Sequence, residues 1–382
     1  MAIIGGLGSD SGHNEICIAV SASGRLFSNY PLGLDPNNTR YQVAELVNGS
    51  SETPYPSVEI NSPPDGPYDY TSYPARSKGL PDYLIGVQSV VIDAQDRLWI
   101  LDTGRAVLPN GTLTASQYGG PKLVAVDLQS NAVVKTILFP PEVAYPESYL
   151  NDIRFDLRAG ITESGQGVGY ITDSSAESRN GIIIVDLGTG NSWRHLEGTM
   201  EVRGENRFFA TVWGQSLYIN TGGSSSVQRF GSGADGIAIS PDGETLYFCP
   251  VASRYLYAVP TARLRDQGPA SELLAEASVM NLGQKGHADG LESDSNGLVY
   301  AGSIGTNSIV IFNPANASVS TYARDPRIGW PDTFSAGTDG YLYVTANQLF
   351  RMPGMTGGVD LRQKPFVLYR VPLAEGGSKI RA

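Results

Sequence analysis

A hairpin unit recurs six times along these 382 residues, and it limits what the chain can fold into more than any other feature. Each copy starts on a polar residue, runs through an apolar strand, turns through Asp or Asn and usually Gly, and returns in an aromatic-rich strand. The clearest copies are ADGIAISPDGETLYF from Ala234, ADGLESDSNGLVYAG from Ala288 and PDTFSAGTDGYLYVT from Pro331. QSVVIDAQDRLWILD from Gln88 is a fourth, and NDIRFDLRAGITESGQGVGYITD from Asn151 a fifth with a lengthened turn. NEICIAVSASGRLFSNY from Asn14 is the most degenerate. Further strand-like sequence follows the copies (KLVAVDL, GIIIVDL, YLYAVP, SIVIF). Such a sheet cannot bury both faces alone, so the units must stack, and closing the stack into a ring removes its open edges. The expected fold is an all-β, six-bladed β-propeller with four antiparallel strands per blade, one domain over residues 1–382. The N-terminal AIIGG is expected to pair beside VLYRVPL in the last blade and close the ring. A β-sandwich pair is the alternative. ELLAEASVM, near Ser271 to Met280, is the one short helix candidate.

Composition agrees: 45 Gly, 24 Pro and 20 Tyr suit many short strands and tight turns. A net charge of -11 argues against nucleic acid or an anionic membrane as partner, since either needs a basic face. No run approaches the roughly 20 apolar residues of a membrane span. Cys17 and Cys249 fall in opposite blades and are expected as buried free thiols. Four N-x-S/T sequons, at Asn37, Asn48, Asn110 and Asn316, lie in turn-like segments. They suggest a glycosylated protein of the secretory pathway, its leader outside this sequence.

In a propeller the innermost strand of each blade starts at the top of the channel. Alignment of the copies puts Asn14, Gln88, Asn151, Asp235, Asp289 and Asp332 at that start, facing one axis. Asp and Asn also cap backbone amides where a loop enters a strand, which explains the residue types equally well. Loops after each second strand open on the same face. They bring Asp102, Thr103 and Arg105; Asp173, Ser174 and Ser175; Ser253 and Arg254; Thr306 and Asn307; and Thr345 and Asn347. Trp330 and Phe334 add an aromatic wall, and small hydrophobic or aromatic molecules are the expected ligands.

Oxygen ligands converging in a channel suit Ca²⁺. Glu15, Asn151 and Asp235 are the candidate set, as in lactonase propellers, although no metal is the leading expectation. The chain lacks G-x-S-x-G, H-E-x-x-H and C-x-x-C, so nucleophilic hydrolysis finds no support. His287 stands two residues before Asp289, and in an extended strand such residues share a side. That pair is the candidate acid–base group, and His13 is a further histidine near the mouth. An exposed loop histidine is the competing reading.

Several motifs resemble the major royal jelly and yellow protein family: LWILDTG (Leu98 to Gly104), PKLVAVDL (Pro121 to Leu128), FPPEVAYPESYLNDIRFD (Phe139 to Asp156), GYITDSS (Gly169 to Ser175), YPSVEIN (Tyr55 to Asn61) and RYLYAVPTARLRD (Arg254 to Asp266). The resemblance spans nearly the whole chain and implies the six-bladed fold already reached from the repeat. It also implies a channel-mouth ligand site, at which Asn347 in TANQL matches a residue that contacts amines in insect members. Gly120 stands where insect members carry Cys, which points towards fungal relatives. Those resemble enzymes joining a tropolone-derived quinone methide to a terpene by hetero-Diels–Alder addition, without cofactor. On that resemblance Arg254, His287 and Asp289 would do the polar work and Trp330 and Phe334 form the wall. A non-catalytic binder of aromatic amines and a metal-dependent lactonase-like hydrolase are the alternatives.

Overall fold

Six four-stranded antiparallel sheets appear in a computed structural model, which describes residues 2–7, 17–48, 51–177, 179–220 and 227–380. Blade 1 runs from Ile18–Val20 to Ser51–Pro54, blade 2 from Val87–Ile92 to Ala132–Leu138, and blade 3 from Leu150–Asp156 to Ser192–His195. Blade 4 runs from Ala234–Ile239 to Met280–Gln284, and blade 5 from Ala288–Ser293 to Ser318–Arg324. Blade 6 takes Pro331–Ala336, Tyr341–Ala346 and Phe366–Pro372, and Ala2–Leu7 is its outermost strand. That strand pairs antiparallel from Ala2 opposite Arg370 to Leu7 opposite Phe366. The ring is therefore closed by the two ends of the chain, as the hydrophobic pattern predicts. Ser271–Ala277 is helical as expected, and a short helix at Thr261–Arg265 precedes it.

Inner strands run almost wholly buried, and the apolar layers lie between adjacent blades rather than in one central core. Trp99, Ile153, Phe155 and Ile171 fill one such layer between blades 2 and 3. Tyr300, Ile309, Phe334 and Leu342 fill another between blades 5 and 6. The repeated Ala-Asp-Gly has a steric cause. A side chain at Gly236 would stand 2.2 Å from the Asp289 carbonyl oxygen, and one at Gly290 would stand 2.0 Å from that of Asp332. Only glycine lets neighbouring inner strands approach this closely around the axis.

Both cysteines are buried free thiols. Asn37, Asn48, Asn110 and Asn316 are all exposed. Among the described residues no helix is long and apolar enough to cross a membrane.

Candidate functional site

The heads of the inner strands are not regular. Pairing with the second strand slips at Val87/Ser89, Leu150/Ile153, Ala234/Gly236, Ala288/Leu291 and Pro331/Phe334. A bulge at this position re-aims the side chain it carries. In five blades the re-aimed residue is the predicted polar one, and Gln88, Asn151, Asp235, Asp289 and Asp332 all line one cavity of about 290 Å³ at the channel mouth. Asn14, Glu15 and His13 lie outside the described residues.

The floor is a hydrogen-bonded set of acids and amides. Asn151 donates its side-chain amide to Asp235 Oδ2 (2.6 Å) and to Ser174 Oγ (2.8 Å). Tyr149 donates its hydroxyl to Gln88 Oε1 at 2.8 Å. Trp330 Nε1 donates to Asp289, and Asn347 Nδ2 donates to Asp332. The Asp235 and Asp289 carboxyls lie close enough to interact, which disfavours charging both at once. Burial, and then the nearby charges of Asp289 and Asp332, push the Asp235 carboxyl far above the carboxylate range. Asp332 is raised in the same way, by burial and then by Asp289 and Asp152. Asp289 is pushed up to about 6 by burial, partly offset by the Trp330 bond. Below this floor Arg154 reaches across the channel, pairing with Asp152 at 2.8 Å and donating to the Leu291 carbonyl at 2.6 Å. The cavity is thus closed from beneath by an ion pair.

Walls and roof come from segments with no repeat signal. Leu34, Ile219, Phe230, Val251, Leu349, Met352 and Met355 give an apolar surround, and Arg105 and Arg229 stand among them. Phe230 packs edge-on to Trp330 at 5.8 Å. Trp330 is fully buried at φ 65, a conformation that bulky residues avoid and that here is held by bonding at both backbone and ring. Arg105, Ser174 and Trp330 are where the sequence puts them.

Other expectations require correction. Asp102 does not face the channel: it is buried against Lys122 (3.0 Å) and accepts from the amides of Ile85, Gly86 and Gly104. Asp173 likewise pairs with Arg194 at 3.0 Å and caps the amides of Tyr149 and Ser175. Phe334 belongs to the layer between blades, not to the aromatic wall. Asn347 sits beneath the wall, holding Asp332 and accepting from the Leu349 amide at 3.1 Å. Arg254 lies outside the cavity, ion-paired with Glu205 and stacked on Phe208. His287 does not orient Asp289. The Ala288/Leu291 bulge breaks the two-residue alternation between them, and the imidazole packs edge-on to Phe208 at 5.5 Å instead. The side-chain donor to Asp289 is Trp330.

Of the candidate Ca²⁺ set, Glu15 lies outside the described residues, and Asn151 turns its N–H groups, not its carbonyl, towards Asp235 and Ser174. Among the described residues no group of three His, Cys, Asp or Glu side chains is placed to hold a metal ion.

Residues 85–377 match the family model described as "Major royal jelly protein". The chain belongs to this family. Major royal jelly protein 7 of Apis mellifera is 29% identical over 178 residues, covering 47% of this chain and 35% of the relative. Protein yellow of Drosophila pseudoobscura pseudoobscura is 26% identical over 273 residues, covering 66% of this chain and 41% of the relative. The chain thus matches under half the length of these major royal jelly and yellow proteins. Among solved structures, a calcium-binding regucalcin from Agrobacterium tumefaciens superposes with a TM-score of 0.53 at 12% identity, covering 98% of this chain and 94% of the other. A luciferin-regenerating enzyme gives 0.53 at 11%, covering 98% and 96%. At such identity the likeness is one of fold, and this major royal jelly family member must be read from its own residues.

Proposed function

We propose that the channel mouth is the active site of a cofactor-independent cyclase, of the fungal hetero-Diels–Alder type, that joins a quinone-methide-like partner to a terpene alkene. The observation that supports this reading is a buried carboxyl floor, whose burial favours the protonated form, beneath an apolar wall. An apolar cavity holds diene and alkene together, and well-oriented encounter contributes on the order of 7–11 kcal/mol in favourable cases. The floor supplies the acid. Asp235 gives its proton to the departing hydroxyl of a ring-CH₂OH precursor, the C–O bond breaks with both electrons on oxygen, and water leaves. The Asp289 carboxylate accepts the proton of the adjacent ring hydroxyl, which yields the neutral quinone methide. The pair ends with the one proton it began with. Cycloaddition then forms one C–C and one C–O bond with no change of oxidation state. General acid–base assistance of this kind contributes about 10²–10⁴-fold.

The test is incubation with a hydroxymethyl precursor and a sesquiterpene. A single stereoisomer is expected from the native protein, unaffected by EDTA. Asp235→Asn keeps the acceptor for Asn151 but has no acidic proton, and turnover is expected to fall by about 10²-fold or more while precursor affinity stays within a few-fold. Racemic product, or an unaltered rate in Asp235→Asn, would refute the reading.

The same floor supports a second reading, a non-catalytic binder of aromatic amines. An ammonium group beside Asp235 and Asp289 would take the place of the floor proton. Saturable thermal stabilisation by serotonin or dopamine, with no product from any precursor, would decide for it. Loss of a hydrolytic activity in EDTA would instead decide for the lactonase-like alternative.

A further inference from the structure

Segment 347–355 of blade 6 stands between two cavities. Leu349, Met352 and Met355 face the channel, while Gln348, Phe350 and Arg351 face an outer groove of about 460 Å³. The segment is pinned by Gln348 and Gln363, which exchange two hydrogen bonds of 2.8 and 3.0 Å. The two cavities differ in their charged lining. Three carboxyls line the channel floor, whereas among the described residues no acid lines the groove and Arg327, Arg351 and Lys364 do. This occurs in a chain of net charge -11. Arg327 is held by Asp325 through two bonds (2.9 and 2.6 Å). Arg351 forms no ion pair among the described residues. Its guanidinium lies over the Phe350 ring, 5.1 Å from the ring centre, and donates to Gln348 Oε1 at 3.0 Å. Trp213, half exposed, and the buried Tyr369 complete an aromatic lining.

We propose that this groove is a second small-molecule site, for a flat aromatic carboxylate. A planar guanidinium matches a carboxylate in a two-bond fork, and aromatic rings beside it give the ligand ring a stacking surface. The channel, which sets three carboxyls beside Arg105 and Arg229, offers no such wholly basic lining. The site stands independently of the cyclase reading, since none of its residues lines the channel.

Trp213 reports directly on the groove: Trp99 and Trp330 are fully buried, and Trp193 is engaged with the Leu264 carbonyl. The probes are 4-nitrobenzoate, a quencher, and 4-nitrobenzamide, its neutral counterpart. Saturable quenching by 4-nitrobenzoate is expected, with a dissociation constant about ten-fold or more below that of the amide. Arg351→Gln and Lys364→Gln should each weaken it by about five-fold or more at unchanged melting temperature. Trp213→Phe should abolish the quenching while equilibrium dialysis still finds the probe bound. Three results would overturn the proposal: quenching that stays linear to about 10 mM, equal affinity for acid and amide, or quenching that survives Trp213→Phe and so reports the channel.

Discussion

Asp102→Ala is expected to destabilise the protein by about 3–5 kcal/mol, enough to unfold much of it at physiological temperature. Asp102 and Lys122 have no exposed side-chain surface, and their ion pair sits between the second and third strands of blade 2. The alanine variant would leave the Lys122 ammonium with only the carbonyls of Leu80, Gly119 and Gly120. It would also strand the amides of Ile85, Gly86 and Gly104. Each loss is a desolvation cost with no compensating water contact. The damage extends to the site, because Ile85 and Gly86 lead into the strand that places Gln88 on the cavity floor. Chemical denaturation of Asp102→Asn, Lys122→Met and the double variant checks the cause. The double variant should lose less than the two single losses combined, since it removes both charges together. Additive losses would show that the pair is not the source.

The contrast between Asp102 and Asp235 shows how far this site was legible in the sequence. Both are acids at strand ends, and residue type alone could not separate a cap from a lining group. The repeat register could: five strand-head residues read from it line the cavity, because each hairpin copy brings its first polar residue to the axis. Asp102 and Asp173 end second strands, where the chain turns away and the amides need capping. A signal for their role was present in Lys122, a cation inside the apolar run PKLVAVDL, which sits directly opposite Asp102 in the sheet. The His287–Asp289 expectation failed for a different reason. It assumed regular two-residue alternation, and a bulge is a local backbone event that residue types do not report. The apolar wall was illegible because Phe230, Met352 and Met355 lie in connections with no period. The six-bladed ring, by contrast, was overdetermined, since six copies and a closing strand agree.

His287→Phe is expected to stabilise the protein, by an amount that grows as the pH falls. The imidazole is 7% exposed, and among the described residues neither ring nitrogen has a hydrogen-bond partner. Burial, and then the charge of Lys285, push it down to about 3, and Arg254 lies over the same Phe208 ring that the imidazole touches. Phenylalanine keeps the edge-on contact and removes two unsatisfied polar atoms, worth about 1–3 kcal/mol at pH 8. Below pH 6.5 the unfolded chain takes up a proton that the folded protein refuses. The native protein therefore loses roughly 1.4 kcal/mol per pH unit through this residue as pH falls from 6.5 towards 3. The floor acids act with the opposite sign. Asp289 is raised, so its contribution is complete below about pH 4 and is lost as pH rises through about 6. In the native protein the two trends oppose one another between pH 4 and 6.5. His287→Phe leaves the acids unopposed, and its melting temperature should climb from pH 8 to pH 5 more steeply than that of the native protein. Adding Asp289→Asn should flatten the climb, because an amide does not titrate. Ligand affinity in the channel should be unaltered in His287→Phe, as the ring does not line the cavity. Parallel melting curves across this range would mean that the buried imidazole is not what limits stability in acid.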